Sequence, residues 1–254
     1  MYQEELRDKK ELIMTQDGTK TLFSCEFNEA YHSTKDGALH ESLEKHVKPA
    51  LFFQKDKKSL VILDICFGLG YNSLATLYYI KKYNLSTKVH IISPELDKSL
   101  IKSLDSFEYP KEFDCFKNII KKLSQNFYYE DEQFKIDILI GDARKLLPNI
   151  TTKIDIAYQD AFSPKHNPLL WTKEYFSDIR ALSKNDTIIT TYSTATSVRM
   201  GLYENGYNIF IFKGDNVRSS TITSLKMLDI EYIDMELKKS RNLEARSFKD
   251  SEFI

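Results

Sequence analysis

The segment VILDICFGLGYN at 61–72 sets Asp64 and Phe67 beside two glycines, Gly68 and Gly70, with Asn72 just beyond. Glycines at this spacing allow a tight turn and let backbone N–H groups approach a ligand that a Cβ would keep away, although an ordinary strand-to-helix turn has the same appearance. Glu95 closes IISPE at 91–95, one crossover later, where an acid can accept ribose hydroxyls. The GDA at 141–143 brings Asp142 and Ala143 after a further strand; Asp142 could accept from an adenine amino group or cap the helix that follows. The most informative stretch is IDIAYQDAFSPKHNPLLW at 154–171, in which a strand ends at Asp160 and leads to Phe162, two prolines and the single tryptophan, Trp171. Ligands of open parallel sheets sit beyond the carboxyl ends of the strands, so Asp160 is expected to face the reactive end of a cofactor. A turn-forming aspartate is the competing reading, and Phe162 and Trp171 could equally be core. Lys165, His166 and Arg199 fall near the expected mouth as candidates for phosphate or base contacts, with plain surface solvation the alternative for each.

Strand-length apolar runs recur at 59–66, 89–94, 134–140, 154–159, 187–192, 207–212 and 221–225, unbroken rather than alternating, as in strands buried on both faces. Helix-patterned stretches at 73–83, 98–107, 112–127 and 171–182 lie between them, and such alternation predicts a parallel sheet flanked by helices. The last two runs follow closely enough for an antiparallel hairpin. Residues 1–58 read as an appended lid or small β-segment with a helix at 39–47, residues 59–230 as the main domain, and 231–254 as a charged helix or tail.

A chain of 254 residues suits one large α/β domain better than two. It has no apolar run able to span a bilayer and no basic-then-apolar leader, so a soluble, cytoplasmic protein is expected. Cys25, Cys66 and Cys115 are widely separated, and His32, His40, His46, His90 and His166 show no converging spacing, so no metal site is expected and the thiols read as reduced and mostly buried. A net charge of -1 gives no strong overall pull toward polyphosphate, so any nucleic-acid contact has to come from a local patch.

Taken together, 64–72, Glu95, 141–143 and 160–171 resemble, in order, the pattern E-x-G-F-G-T-G-L-N, acid, G-D-A, D-G-F-A-P-x-x-N-P-x-x-W of the MnmC-like tRNA methyltransferase family. FNEAYHS at 27–33 and GALHE at 37–41 are similar to its upstream F-D-D-x-Y-F-S and G-x-x-E, and 190–207 to its T-x-T-x-A-x-x-V-R-x-G-L-x-x-A-G-F. Cys66 stands at a family glycine, Asp64 replaces the opening glutamate, and a basic G-F-G-R-K-R-E-M stretch is here KGDNVRSS at 213–220. The resemblance implies an α/β class I methyltransferase fold: a Rossmann-like, seven-stranded, mostly parallel sheet with helices on both faces and a final antiparallel hairpin. It also implies S-adenosylmethionine as cofactor and the anticodon region of tRNA as partner, with 5-aminomethyl-uridine at the wobble position converted to 5-methylaminomethyl-uridine. Two other readings stand beside it. One is a methyltransferase or aminopropyltransferase for a small amine, which would need more acids than Asp155 and Asp160; the other is a non-catalytic binding relic of the fold.

Overall fold

The computed structural model describes residues 9–242 and 244–254; residues 1–8 of the expected appended segment and Leu243 of the charged tail lie outside the described residues. β1 (Lys10–Met14), β2 (Lys20–Ser24) and β3 (Glu29–Ala30) form a small antiparallel sheet. α1 (Ala38–Glu41) then runs through a π-helical stretch, Ser42–Val47, into α2 (Lys48–Phe53). The main layer follows as β4 (Ser59–Ile65), α3 (Tyr71–Lys82), β5 (Lys88–Glu95), α4 (Lys98–Ser103), α5 (Lys117–Asn126), β6 (Tyr128–Glu130) and β7 (Phe134–Ile140). It continues through α6 (Ala143–Leu146), β8 (Ile154–Gln159), α7 (Lys173–Leu182), β9 (Ser183–Thr191), α8 (Thr196–Tyr203), β10 (Asn208–Phe212), β11 (Ser220–Ser224), β12 (Tyr232–Ile233) and α9 (Met235–Arg241).

The described residues give a nine-stranded sheet in the order β12-β10-β11-β9-β8-β4-β5-β7-β6. β7, β5, β4, β8 and β9 are parallel, and β11 and β10 close the sheet as the expected antiparallel hairpin. All seven expected runs are strands of this sheet. The two additions, β6 and β12, are edge strands of three and two residues, too short and too exposed to leave a hydrophobic pattern.

The unbroken apolar runs have a simple cause. Successive side chains on a strand point to opposite faces, and both faces of this sheet are covered. Ile62 packs into a cluster with Leu74, Leu77 and Phe113, whereas its neighbour Leu63 packs on the other side with Trp171, Tyr175 and Val198. Burying each such side chain contributes about 1.5–3 kcal/mol. The thiols correct an expectation: Cys25 and Cys115 are exposed and only Cys66 is partly buried. In the helical turn around Cys115 it is Phe113 and Phe116 that turn inward. Among the described residues no helix is long and apolar enough to cross a membrane.

Candidate functional site

The parallel strands diverge at β4, with β5 and β7 on one side and β8 and β9 on the other. The crevice beyond the carboxyl ends of the strands at such a point is where these sheets take ligands. A cavity of about 840 Å³ opens there, within the usual size of small-molecule sites. From the β7 side to the β8 side its lining runs from Gly141, Asp142 and Ala143, to Glu95, to Cys66, Phe67, Gly68 and Asn72, and to Asp160 and Phe162. Residues placed far apart in sequence thus meet because each follows the end of a parallel strand.

The turn after β4 is built on left-handed backbone: Cys66, Gly68 and Gly70 have φ of 64°, 55° and 73°. At Gly70, which precedes α3, a Cβ would stand 2.6 Å from the Phe67 ring, so the ring and the helix start can coexist only without it. Cys66 does carry a Cβ in a region that costs L residues about 1–2 kcal/mol; this is the physical reason for a glycine at that place in the family pattern. Burial and the nearby carboxylates of Glu95, Asp160, Asp64 and Asp142 push its thiol well above the ordinary range. It therefore stays protonated and is a poor nucleophile.

The acids are held in different ways. Glu95 accepts from Gly68 N at 2.8 Å and from Asp97 N at 2.7 Å; burial raises its pKa and these two bonds draw it back. Asp142 caps α6 by accepting from Arg144 N at 2.9 Å and also lines the cavity. Asp64 lies beneath the turn and outside the cavity lining, 1% exposed, with Oδ2 accepting from the Ser73 hydroxyl at 2.7 Å and Oδ1 without a partner. Burial, opposed by that bond and reinforced by the Asp160 charge, raises its pKa to about 7. Asp160 accepts from Asn72 Nδ2 at 2.8 Å and has His46 Nε2 3.4 Å from its other oxygen. Burial alone would raise its pKa, but the nearby His46, with Asn72 and His32, holds it below the ordinary carboxylate value.

One wall comes from the N-terminal segment, read from the sequence as an appended lid or small β-segment with none of its residues assigned to the site. Phe162 stacks on Phe27 with centroids 4.6 Å apart and meets the edge of Tyr31 at 4.9 Å, giving an aromatic cluster on the cavity wall. Lys45 donates to Asp36 at 2.7 Å and to Glu41 at 2.8 Å, a buried triad that also lines the cavity. His32 lines it too, its ring edge-on to Tyr71 at 4.7 Å; burial pulls its pKa down. In the sequence, His32 and His46 enter only as possible metal ligands. The signal available was FNEAYHS and GALHE themselves, which carry Phe27, Tyr31, His32 and Glu41.

Gly70, like Asp64, lies outside the cavity lining, and four further candidates fall elsewhere. Trp171 is fully buried and donates its indole N–H to Phe162 O at 2.7 Å, so it props the loop from below and does not reach the cavity. Arg199 is 7% exposed and donates from Nε to the Thr221 hydroxyl at 3.0 Å, under the sheet's hairpin and away from the cavity. Lys165 is exposed and His166 half-buried on the loop after Asp160, and neither is part of the lining.

The arrangement fits S-adenosylmethionine, a cation at sulfur and at its amino group. The cavity and the layer beneath it are rich in carboxylates, the buried Asp64 Oδ1 and Asn72 Oδ1 have no hydrogen-bond partner, and the turn at Gly68 and Gly70 lets the backbone come close.

Comparison with known proteins agrees. Residues 111–226 match a family described as S-adenosyl-L-methionine-dependent methyltransferase. The crystal structure of MnmC2 from Aquifex aeolicus superposes with a TM-score of 0.84 at 31% identity, over 97% of this chain and 80% of that one. An uncharacterized protein of Methanocaldococcus jannaschii is 31% identical over 208 residues, which is 81% of this chain and 56% of the relative. The tRNA 5-methylaminomethyl-2-thiouridine biosynthesis bifunctional protein MnmC of Campylobacter jejuni is 28% identical over 251 residues, 93% of this chain and 40% of that protein. The chain thus spans 56% and 40% of the length of these two curated relatives. With a class I sheet, a cavity suited to the cofactor and a close structural match over nearly its whole length, the chain belongs to the MnmC2 family of S-adenosylmethionine-dependent methyltransferases.

Proposed function

We propose that the protein methylates the exocyclic primary amine of 5-aminomethyl-(2-thio)uridine at the wobble position of tRNA, giving the methylaminomethyl form. The observation that carries the reading is the single cavity in which Glu95 and Asp142 lie toward β7 and the Asp160 carboxylate lies beyond β8. In this reading Glu95 accepts the ribose hydroxyls and Asp142 the adenine amine, with Phe67, Gly68, Gly70 and Ala143 shaping the pocket and Asp64 and Asn72 beneath the amino-acid end. The printed names of the Campylobacter and Aquifex relatives support the substrate.

S-adenosylmethionine supplies a sulfonium methyl already activated toward nucleophiles. The protein's own task is alignment and proton handling. A primary alkylammonium, with a pKa near that of lysine at ~10.4, has no lone pair at neutral pH. Asp160 accepts a hydrogen bond from the amine, turns its lone pair toward the methyl and takes up, or passes to water, the proton it sheds. The Phe27, Phe162 and Tyr31 surface offers a face for a flipped-out base.

Two cations favour a polyanionic substrate over a small free amine. Lys35 and Arg218 both line the cavity, both are exposed, and neither has an ion-pair partner among the described residues. Arg218 is the cation that the 213–220 stretch brings to the cavity. They would attract phosphates and repel a polyamine. Such a substrate also puts the protein in the cytoplasm.

Mass spectrometry of wobble nucleosides from cells with and without the chain tests the reading. Loss of the methylaminomethyl nucleoside, with its aminomethyl precursor accumulating, is the expected result, together with tRNA affinity that falls steeply as salt rises. An unchanged nucleoside profile would redirect the search to small amines.

A further inference from the structure

The π-helical stretch Ser42–Val47 delivers three consecutive ionisable side chains, Glu44, Lys45 and His46, all buried. Glu44 and Lys45 find full ionic or hydrogen-bonding company in Lys48, Asp215, Asp36 and Glu41. His46 does not. Its ring is 0% exposed, packed edge-on to Tyr158 at 5.8 Å, and its Nδ1 lies 2.9 Å from the Thr190 hydroxyl. Its Nε2 is buried without a hydrogen-bond partner, 3.4 Å from Asp160 Oδ1. π-Helical turns of this kind concentrate at functional sites, and an apolar ring would fill the same space without leaving a polar atom to be satisfied.

The chemistry sets the orientation of the imidazole. An ionised carboxylate only accepts, so the nitrogen facing Asp160 is the N–H, and in the neutral ring Nδ1 is then the acceptor of the Thr190 hydroxyl. Thr190 on β9, His46 and Asp160 beyond β8 form a chain that begins in the sheet and ends at the reacting amine. We infer that His46 is a positioning residue for Asp160: held by Thr190, it keeps that carboxylate ionised and turned toward the amine, so that the appended N-terminal segment is part of the reaction machinery. The inference rests on the role proposed for Asp160. The titratable groups facing His46 are Asp160, Asp64, His32 and Tyr158. Since His46 is a leading cause of the low pKa of Asp160, with burial pushing the other way, losing it moves that pKa upward.

The test compares His46→Leu, His46→Gln and Thr190→Val with the wild type, using aminomethyl-uridine tRNA and S-adenosylmethionine. In His46→Leu, kcat falls about tenfold to hundredfold and the acid limb of its pH profile moves to higher pH, while the calorimetric Kd for S-adenosylmethionine stays within about twofold. His46→Gln, which keeps an N–H toward Asp160, recovers most of the rate, and Thr190→Val shows a smaller loss in the same direction. Wild-type kcat and pH limb in His46→Leu, or equal losses in the Leu and Gln variants with Thr190→Val unaffected, would overturn the inference. If His46→Leu fails to fold, Thr190→Val alone decides, by its kcat. Should the wild type leave this tRNA unmethylated, the proposed substrate fails separately. The ring-nitrogen resonances of His46 then decide: they shift in Asp160→Asn if the pair is coupled, and unmoved resonances refute it.

Discussion

Asp155 and Asp160 belong to the two ends of one strand. Asp155 is the second residue of β8 and Asp160 follows its last. At the lower end, the Asp155 carboxylate accepts from Lys57 at 2.6 Å, from Lys184 at 2.8 Å and from Val61 N at 2.8 Å. Burial would raise its pKa, but the two lysines and the backbone bond hold it below the ordinary value. At the upper end Asp160 has one amide donor, a loosely placed imidazole and an open cavity. Both carboxylates are kept ionised, the first by full neutralisation and the second by partners that leave room for one more. A buried acid with all its lone pairs taken is a rivet, whereas one with spare capacity in a cleft is available for chemistry.

The sharpest way to break this contrast is Asp160→Ala. Its kcat is expected to fall about 10²–10³-fold, with little change in cofactor Kd and with a thermal midpoint no lower than that of the wild type. Turnover assays, calorimetry and thermal melts check it, and normal turnover would remove the distinction. Asp155→Ala should do the reverse, lowering the free energy of unfolding by about 2–4 kcal/mol, because two lysines and a backbone N–H lose their acceptor, while turnover per folded molecule is unchanged. Because the folded pKa of Asp155 lies below the unfolded ~3.9, its stabilisation is complete above that value and disappears as pH falls through the folded one. Urea midpoints measured below about pH 5 should therefore drop less steeply in Asp155→Asn than in the wild type. The smallest effect belongs to the turn beside Asp160. Cys66→Gly exchanges left-handed strain for unfolded-state entropy, for a net gain of about 0.5 kcal/mol in denaturant titration with cofactor Kd unchanged.

The contrast also marks what could be read from the chain alone. Ile62 and Leu63 announce a strand covered on both faces, and the positions of Gly68, Glu95, Asp142 and Asp160 follow from a single rule about strand ends. What escaped was lateral. Nothing in KHV at 45–47 says that the histidine will lie beside an acid more than a hundred residues later, because a helix packing over the central strands of a sheet leaves no local pattern. Trp171 and Arg199 misled for a related reason: residue type tells that a side chain has a polar tip, and only the packing tells whether that tip meets solvent or a backbone carbonyl.

The cleft is closed by the N-terminal segment together with the loop between β10 and β11. His40 lies 2.8 Å from the Asp215 carbonyl through Nε2, Asp215 N donates to Glu44 at 3.0 Å, and the loop so clasped carries Arg218 and Ser219 to the cavity. During synthesis, a chain grown only to Asp160 already has the glycine turn and the four acids but lacks Thr190 and the clasp. Contacts this distant in sequence are also the slow ones to form. A chain grown only to Asp160 therefore presents no complete pocket.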